Sequence, residues 1–233
     1  MKYVSVALLL LALFSAVAMA DTPQPQQSTS GPVPPPGLSG GLSAGPKTGN
    51  MISGVPAYQW RHGCGPTAVG MVVGYWDGNG YDDLISGDAS TQTAAVDQAI
   101  ASQGSVPSPL HYEDYSLPLD DAGVDPSPLA DKSELPAGDE HTDDCIADFM
   151  HTSWSSDGNY YGWSWSNKIK TAFESYVALQ SSTYGAVVNE YYFGSTLTWS
   201  LVTSEIDAGR PMVFLVDTDG DGSTDHFVTV VDY

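Results

Sequence analysis

Positive charge is what this chain has least of. Seven lysines and arginines stand against twenty-eight aspartates and glutamates, a formal charge of −21 over 233 residues. That balance excludes a nucleic-acid binder and a protein held to anionic membrane by a basic patch, because both need clustered cations. It fits a soluble extracellular protein, including one in calcium-rich or saline surroundings. Cysteine is also scarce: Cys64 and Cys145 are the whole complement. They allow at most one disulfide, the common fate of paired cysteines outside the cell, and rule out a disulfide-dense scaffold. After the first twenty residues no run is apolar enough to span a bilayer. No internal repeat is evident.

What is present begins with an export pattern. Lys2 gives a positive start, Val4 to Val17 an apolar run, and Ala18-Met19-Ala20 a small-x-small cleavage site. This reads as a secretory signal peptide over 1–20, expected to lie outside the fold and to imply a secreted or periplasmic protein. No cysteine follows Ala20, so no lipid anchor is expected there. Residues 21–50, rich in Pro, Gln, Gly and Ser, read as a flexible tether. The remaining residues, 51–233, suffice for one domain with a real core.

Within that domain Tyr58 to Asp77, YQWRHGCGPTAVGMVVGYWD, is the organising stretch. Ala68, Val69, Val72 and Val73 recur at helical spacing, and Pro66 suits a first turn where its missing N–H finds no partner anyway. Cys64 therefore stands at a helix N-terminus, where unpaired N–H groups and the dipole favour an anion and lower a thiol pKa. The natural reading is a cysteine nucleophile.

Further on, WDGNGYDDLISGD reads as a loop, and Ser90 as the N-cap of a short helix through Ala94, Val96 and Ile100. Residues 104–143 form a long acidic excursion. Asp143 is a plausible cap for a turn carrying Ile146, Phe149 and Met150. Ser166 should cap the best helix, whose Ile169, Ala172, Phe173, Tyr176 and Val177 make one apolar stripe. Ala186 to Phe193 reads as a strand. Thr198 opens a helix closed by Gly209, and Pro211–Val216 with His226–Tyr233 reads as an antiparallel hairpin. Helices first and strands late give an α+β layout.

A cysteine nucleophile needs a base to take its proton and return one to the leaving group. Of the five histidines, His62 is two residues from Cys64 in a turn that can aim it away. His111 and His141 fall in the acidic excursion, and His151 is a second choice. His226, opening the last strand after a tight turn, is the favoured base.

GCGPTAVGMVVGYWD, EIDAGRPMVFLVD and DHFVTVVDY together resemble the papain-like cysteine peptidase superfamily, in the branch of the bacteriocin-leader (double-glycine) peptidases. The resemblance spans about 52–233 apart from the acidic excursion. It implies a papain-like α+β fold, with the helix carrying Cys64 packed on a late antiparallel sheet carrying His226. It also implies a peptide or protein substrate and no catalytic cofactor. Carried over by position, Cys64 is the nucleophile, His226 the base, and Gln59 an oxyanion donor beside the Cys64 N–H. Gln59 stands five residues before Cys64, where the family typically has six.

The family orients its histidine with an Asn or Asp on a following strand. Asp232 shares the strand face of His226, but six residues of strand put it about 20 Å away. Asp225 is adjacent but on the opposite face. The orienting residue is therefore expected beyond Tyr233. The leader peptidases work beside a transporter inside the cell, and an export signal argues against carrying that role across.

Asp217, Asp219, Asp221 and Asp225 surround Gly222 as in the first part of an EF-hand calcium loop, although Val228 stands where the last acidic ligand belongs. A structural calcium on the turn before His226 is the expectation, an ordinary Asp/Gly turn the alternative. Asp77, Asn79 and Asp82 form a weaker motif of the same kind. Two rivals to a peptidase follow: a calcium-stabilised binding module that keeps the fold without the activity, and an acyl transferase of transglutaminase type.

Overall fold

The computed structural model describes residues 2–10, 24–29, 49–102, 143–154, 157–159 and 162–233. His111, His141 and nearly all of the acidic excursion lie outside the described residues.

The elements in chain order are β1 (Lys2–Leu10), α1 (Cys64–Asp77), α2 (Ala94–Ile100), α3 (Ile146–Met150), α4 (Lys168–Gln180), β2 (Tyr184–Tyr192), α5 (Trp199–Asp207), β3 (Met212–Val216) and β4 (His226–Val230). The strands form one sheet in the order β2-β1-β3-β4. Among the described residues its antiparallel strand pair is β3 with β4, from Met212↔Val230 to Val216↔His226. The late hairpin is as expected. The sheet around it is mixed, because β1 runs parallel to both β2 and β3.

Lys2–Leu10, which the sequence reads as part of an export signal, pairs in the full chain with Tyr184–Tyr192 on one edge and Met212–Leu215 on the other. An unbroken run of Val, Leu and Ala meets the needs of an interior parallel strand as well as those of an export signal, because both ask for apolar residues without alternation.

The main core gathers one face from each element. Val69, Val72 and Val73 of α1 meet Val96 and Ile100 of α2, Ile146 and Met150 of α3, and Ile169, Phe173 and Val177 of α4. Val213, Leu215 and Phe227 close it from the sheet. A second cluster joins Tyr75 to Val202 and Ile206 of α5 and to Met212. All five residues of the α4 stripe are buried, as their spacing requires.

Helix starts are set by local hydrogen bonds that apolar spacing does not reveal. Thr93, not Ser90, caps α2, its hydroxyl accepting from Val96 N–H at 3.2 Å. Ser90 instead turns back on Asp88. Cys145, not Asp143, caps α3, with Asp148 reaching back to the Cys145 N–H at 3.1 Å as a capping box. Asn167 precedes α4, one residue after Ser166. Thr198 does cap α5, accepting from Leu201 N–H at 3.1 Å. Past α5, Gly209 takes φ +70, and Arg210 forks onto Glu205 at 2.6 and 2.8 Å. The Gly-Arg-Pro sequence thus fastens α5 to the start of β3.

Candidate active site

Gly63 is extended, at φ 178 and ψ 153, and α1 starts at the next residue. Thr67 N–H makes the first intrahelical bond, to Gly63 O at 3.2 Å, so Pro66 lies in the first turn where no N–H is missed. Cys64 is the first helical residue and only 4 % exposed. Strand β4 lies along the same helix. Phe227 N–H donates to the Cys64 sulfur at 3.5 Å, and the Thr229 hydroxyl donates to Ala68 O at 3.2 Å. His226 is therefore the immediate neighbour of a residue that touches the thiol.

The close fit depends on glycine. A Cβ at Gly65 would stand 2.6 Å from Met150 Cε and 3.2 Å from the Phe227 ring. One at Gly162, which also has φ +82, would stand 2.4 Å from His62 O and 2.9 Å from Gly63 Cα. The 162–166 segment thus presses directly on the turn that carries the cysteine.

Burial and hydrogen bonding pull the thiol in opposite directions. Enclosure pushes the Cys64 pKa up, and the Phe227, Gly65 and Cys64 N–H groups together with the Ser28 hydroxyl pull it back only in part. The expected lowering by the helix end is thus outweighed by desolvation in this arrangement. Burial also lowers the His226 pKa, against the opposing pull of the Asp225 charge. Both shifts favour the uncharged forms, a thiol on α1 and an imidazole at the start of β4.

The other predicted residues are dispersed. Gln59 is exposed, and its backbone N–H donates to Gln92 Oε1 at 2.9 Å. No contact from its side chain to Cys64 is found among the described residues. His62 is buried in a left-handed turn at φ +59. His151 caps α3 in the same conformation, stacks on Trp154 and binds Asp157 at 2.6 Å. It belongs to a loop clamp that Lys168 completes. Asp232 makes an isolated bridge to Met51, far along the sheet from His226. Asp225 receives Thr218 N–H at 3.1 Å and the Thr218 hydroxyl at 2.5 Å. Cys64 and Cys145 are free thiols, not a disulfide. Cys145 hydrogen-bonds to Asp148 at 3.2 Å.

The acidic turn divides. Asp217, Asp219 and Asp221 bring one carboxylate oxygen each within 4.8 Å of the others. Asp225 is spent on Thr218 and stands outside the group. The three fit a cation in donor type, since carboxylates are hard oxygen ligands. Backbone bonds already orient them, Asp217 accepting from Gly220 and Gly222 N–H at 2.7 and 2.9 Å. Of the weaker motif, Asp77 accepts from Ile85 N–H at 2.9 Å and Asn79 donates to Tyr75 O at 2.6 Å, so turn formation accounts for both.

Sequence reasoning missed Ser28. The tether was taken as flexible, yet Gln26–Thr29 is pinned beside the thiol. Ser28 is wholly buried, and its hydroxyl donates to Ser164 O at 3.3 Å. A short Gln-Gln-Ser-Thr stretch among prolines has no apolar period to mark it.

No helix among the described residues is long and apolar enough to cross a membrane. No curated protein and no solved structure matches the chain. The cysteine turn at the start of α1, the Gly-Arg-Pro clamp and the strand opening at His226 all fall within residues 52–233, which match the model of the Peptidase_C39 like family, and the chain belongs to that family of cysteine peptidase-like proteins.

Proposed function

We propose that this chain is an exported cysteine hydrolase that cleaves peptide bonds with a Cys64–His226 pair. The observation that carries the reading is the contact of β4 with the thiol: Phe227 N–H sits on the sulfur, and the residue before it is the histidine. Neutral His226 takes the Cys64 proton as the sulfur attacks a carbonyl carbon. The tetrahedral intermediate collapses when the imidazolium returns that proton to the leaving amine. Water, deprotonated by the same imidazole, then releases the acyl group from sulfur. The Cys64 and Gly65 N–H groups lie in the first turn of α1, where backbone donors have no intrahelical partner, which recommends them over the surface residue Gln59 as oxyanion donors.

A calcium ion on Asp217, Asp219 and Asp221 would be structural. It would neutralise three neighbouring carboxylates and stiffen the turn that presents His226. The family membership supports a peptide substrate, and the charge of −21 speaks against nucleic acid. The second reading, a calcium-stabilised binding module without activity, draws on the buried, uncharged thiol and on the engagement of Asp225 away from the imidazole.

Treating the full chain with iodoacetamide in the absence of reductant separates the two. The hydrolase predicts that Cys64 labels faster than Cys145 and that His226→Ala slows Cys64 at least tenfold. Equal rates with and without the imidazole favour the binding module.

A further inference from the structure

The residues nearest the sulfur include a segment from far away in the sequence. Gln26–Thr29 runs extended and antiparallel to Ser164–Ser166, with Gln27 opposite Trp165. Ser28 N–H donates to Ser164 O at 2.9 Å, and Ser166 N–H donates to Gln26 O at 2.8 Å. Gln26 N–H donates to the Ser166 hydroxyl at 3.0 Å. On its other side Thr29 N–H donates to the carbonyl of Asp225, the residue before His226, at 2.8 Å. The segment therefore bridges the 164–166 strand-like run and the start of β4 directly across the thiol.

Side chains lock it in place. Ser28 accepts from Ser164 N–H at 3.0 Å, and the Ser164 hydroxyl in turn lies 3.3 Å from where a Cβ on Gly65, the neighbour of Cys64, would stand. Gln27 Nε2 donates to Gly158 O at 2.7 Å and to Asn159 Oδ1 at 2.6 Å. The Thr224 hydroxyl donates to Gln26 Oε1. Ser28, Ser164 and Ser166 are all wholly buried. A stretch of Gln, Ser and Thr has no hydrophobic reason to be there; its burial rests on satisfied backbone and hydroxyl groups.

We propose that Gln26–Thr29 is a built-in occupant of the peptide groove, a strap that holds the enzyme latent by lying where an extended substrate must lie. The proposal rests on the hydrolase reading for the word substrate, but the occlusion stands on geometry alone. The strap follows Ala20, so cleavage there would leave it on the chain while removing Lys2–Leu10 from the sheet. Departure of the strap would open the start of α1 to water.

The test uses the full chain and follows iodoacetamide labelling of each cysteine by mass spectrometry. Ser28→Glu puts a larger, charged side chain into a closed site and should evict the strap. The expected result is a rise of at least tenfold in the Cys64 rate while wholly enclosed Cys145 stays protected. An unchanged Cys64 rate would overturn the proposal, as would an unsubstituted chain whose Cys64 labels as fast as an exposed thiol. If Ser28→Glu exposes both cysteines through unfolding, a chain carrying an inserted protease site between Gly37 and Leu38 decides. Cutting it should raise the Cys64 rate, and a synthetic peptide of residues 24–30 in excess should lower it again. No response to either overturns the strap. Should Cys64 become accessible but stay insensitive to His226→Ala in the evicted background, the hydrolase reading fails and the strap survives.

Discussion

At the scale of single residues, two shifts govern how the site behaves. Burial lowers the His226 pKa and raises that of Cys64, so folding favours the uncharged form of each. For the imidazole, the unfolded chain binds the extra proton as pH falls below about 6.5, and stability is lost in that direction. For the thiol, the unfolded chain gives up its proton first as pH rises past about 8.5, and stability is lost there too. Thermal melting should therefore be highest between these limits. His226→Gln, which cannot titrate, should flatten the acid side between about pH 6.5 and 5, as read from Tm against pH. An acid limb of unchanged slope would show that His226 is not buried as described.

Elements are where most of the sequence reading holds, and the reason is packing. The α1 and α4 stripes were legible because every third or fourth residue enters one core, and Phe173 is wholly buried at its centre. Phe173→Ala should cost about 3–5 kcal/mol in denaturant unfolding. A cost under about 1 kcal/mol would place that ring outside the core. Thr198→Ala should cost about 1 kcal/mol by removing the α5 cap, with the slope of the transition unchanged. Starts of α2 and α3 were misread because Ser90, Thr93, Asp143 and Cys145 are all competent caps, and only tertiary position chooses among them. The hairpin was legible from its β-branched runs and the Asp/Gly turn. The parallel pairing of Lys2–Leu10 was not, since an export signal and a strand paired on both edges can share a composition. Neither was the strap, whose hold comes from hydrogen bonds to residues more than a hundred positions away.

At the scale of the molecule, the cysteine turn and the histidine strand meet although 162 positions separate them, because α1 packs along β4. That meeting was legible from the motifs. What lies between Cys64 and His226 in detail was not, because Gln59 sits three residues before a left-handed turn at His62 that no spacing rule anticipates. The acidic turn bears on the whole structure through His226. If a cation occupies Asp217, Asp219 and Asp221, millimolar calcium should raise Tm relative to chelator, and Asp219→Asn should reduce the difference. Superimposable melting curves would remove calcium from the account.

The pH dependence of Cys64 alkylation, measured on the full chain and on His226→Gln, tests the pairing of sulfur and imidazole most directly. If His226 is the base, the rate in the unsubstituted chain rises as the imidazole loses its proton, below about pH 6.5. In the variant, that limb disappears and labelling awaits thiol ionisation above about 8.5. Two identical profiles, each rising only on the alkaline side, would contradict it: Cys64 and His226 would be neighbours without a shared chemistry.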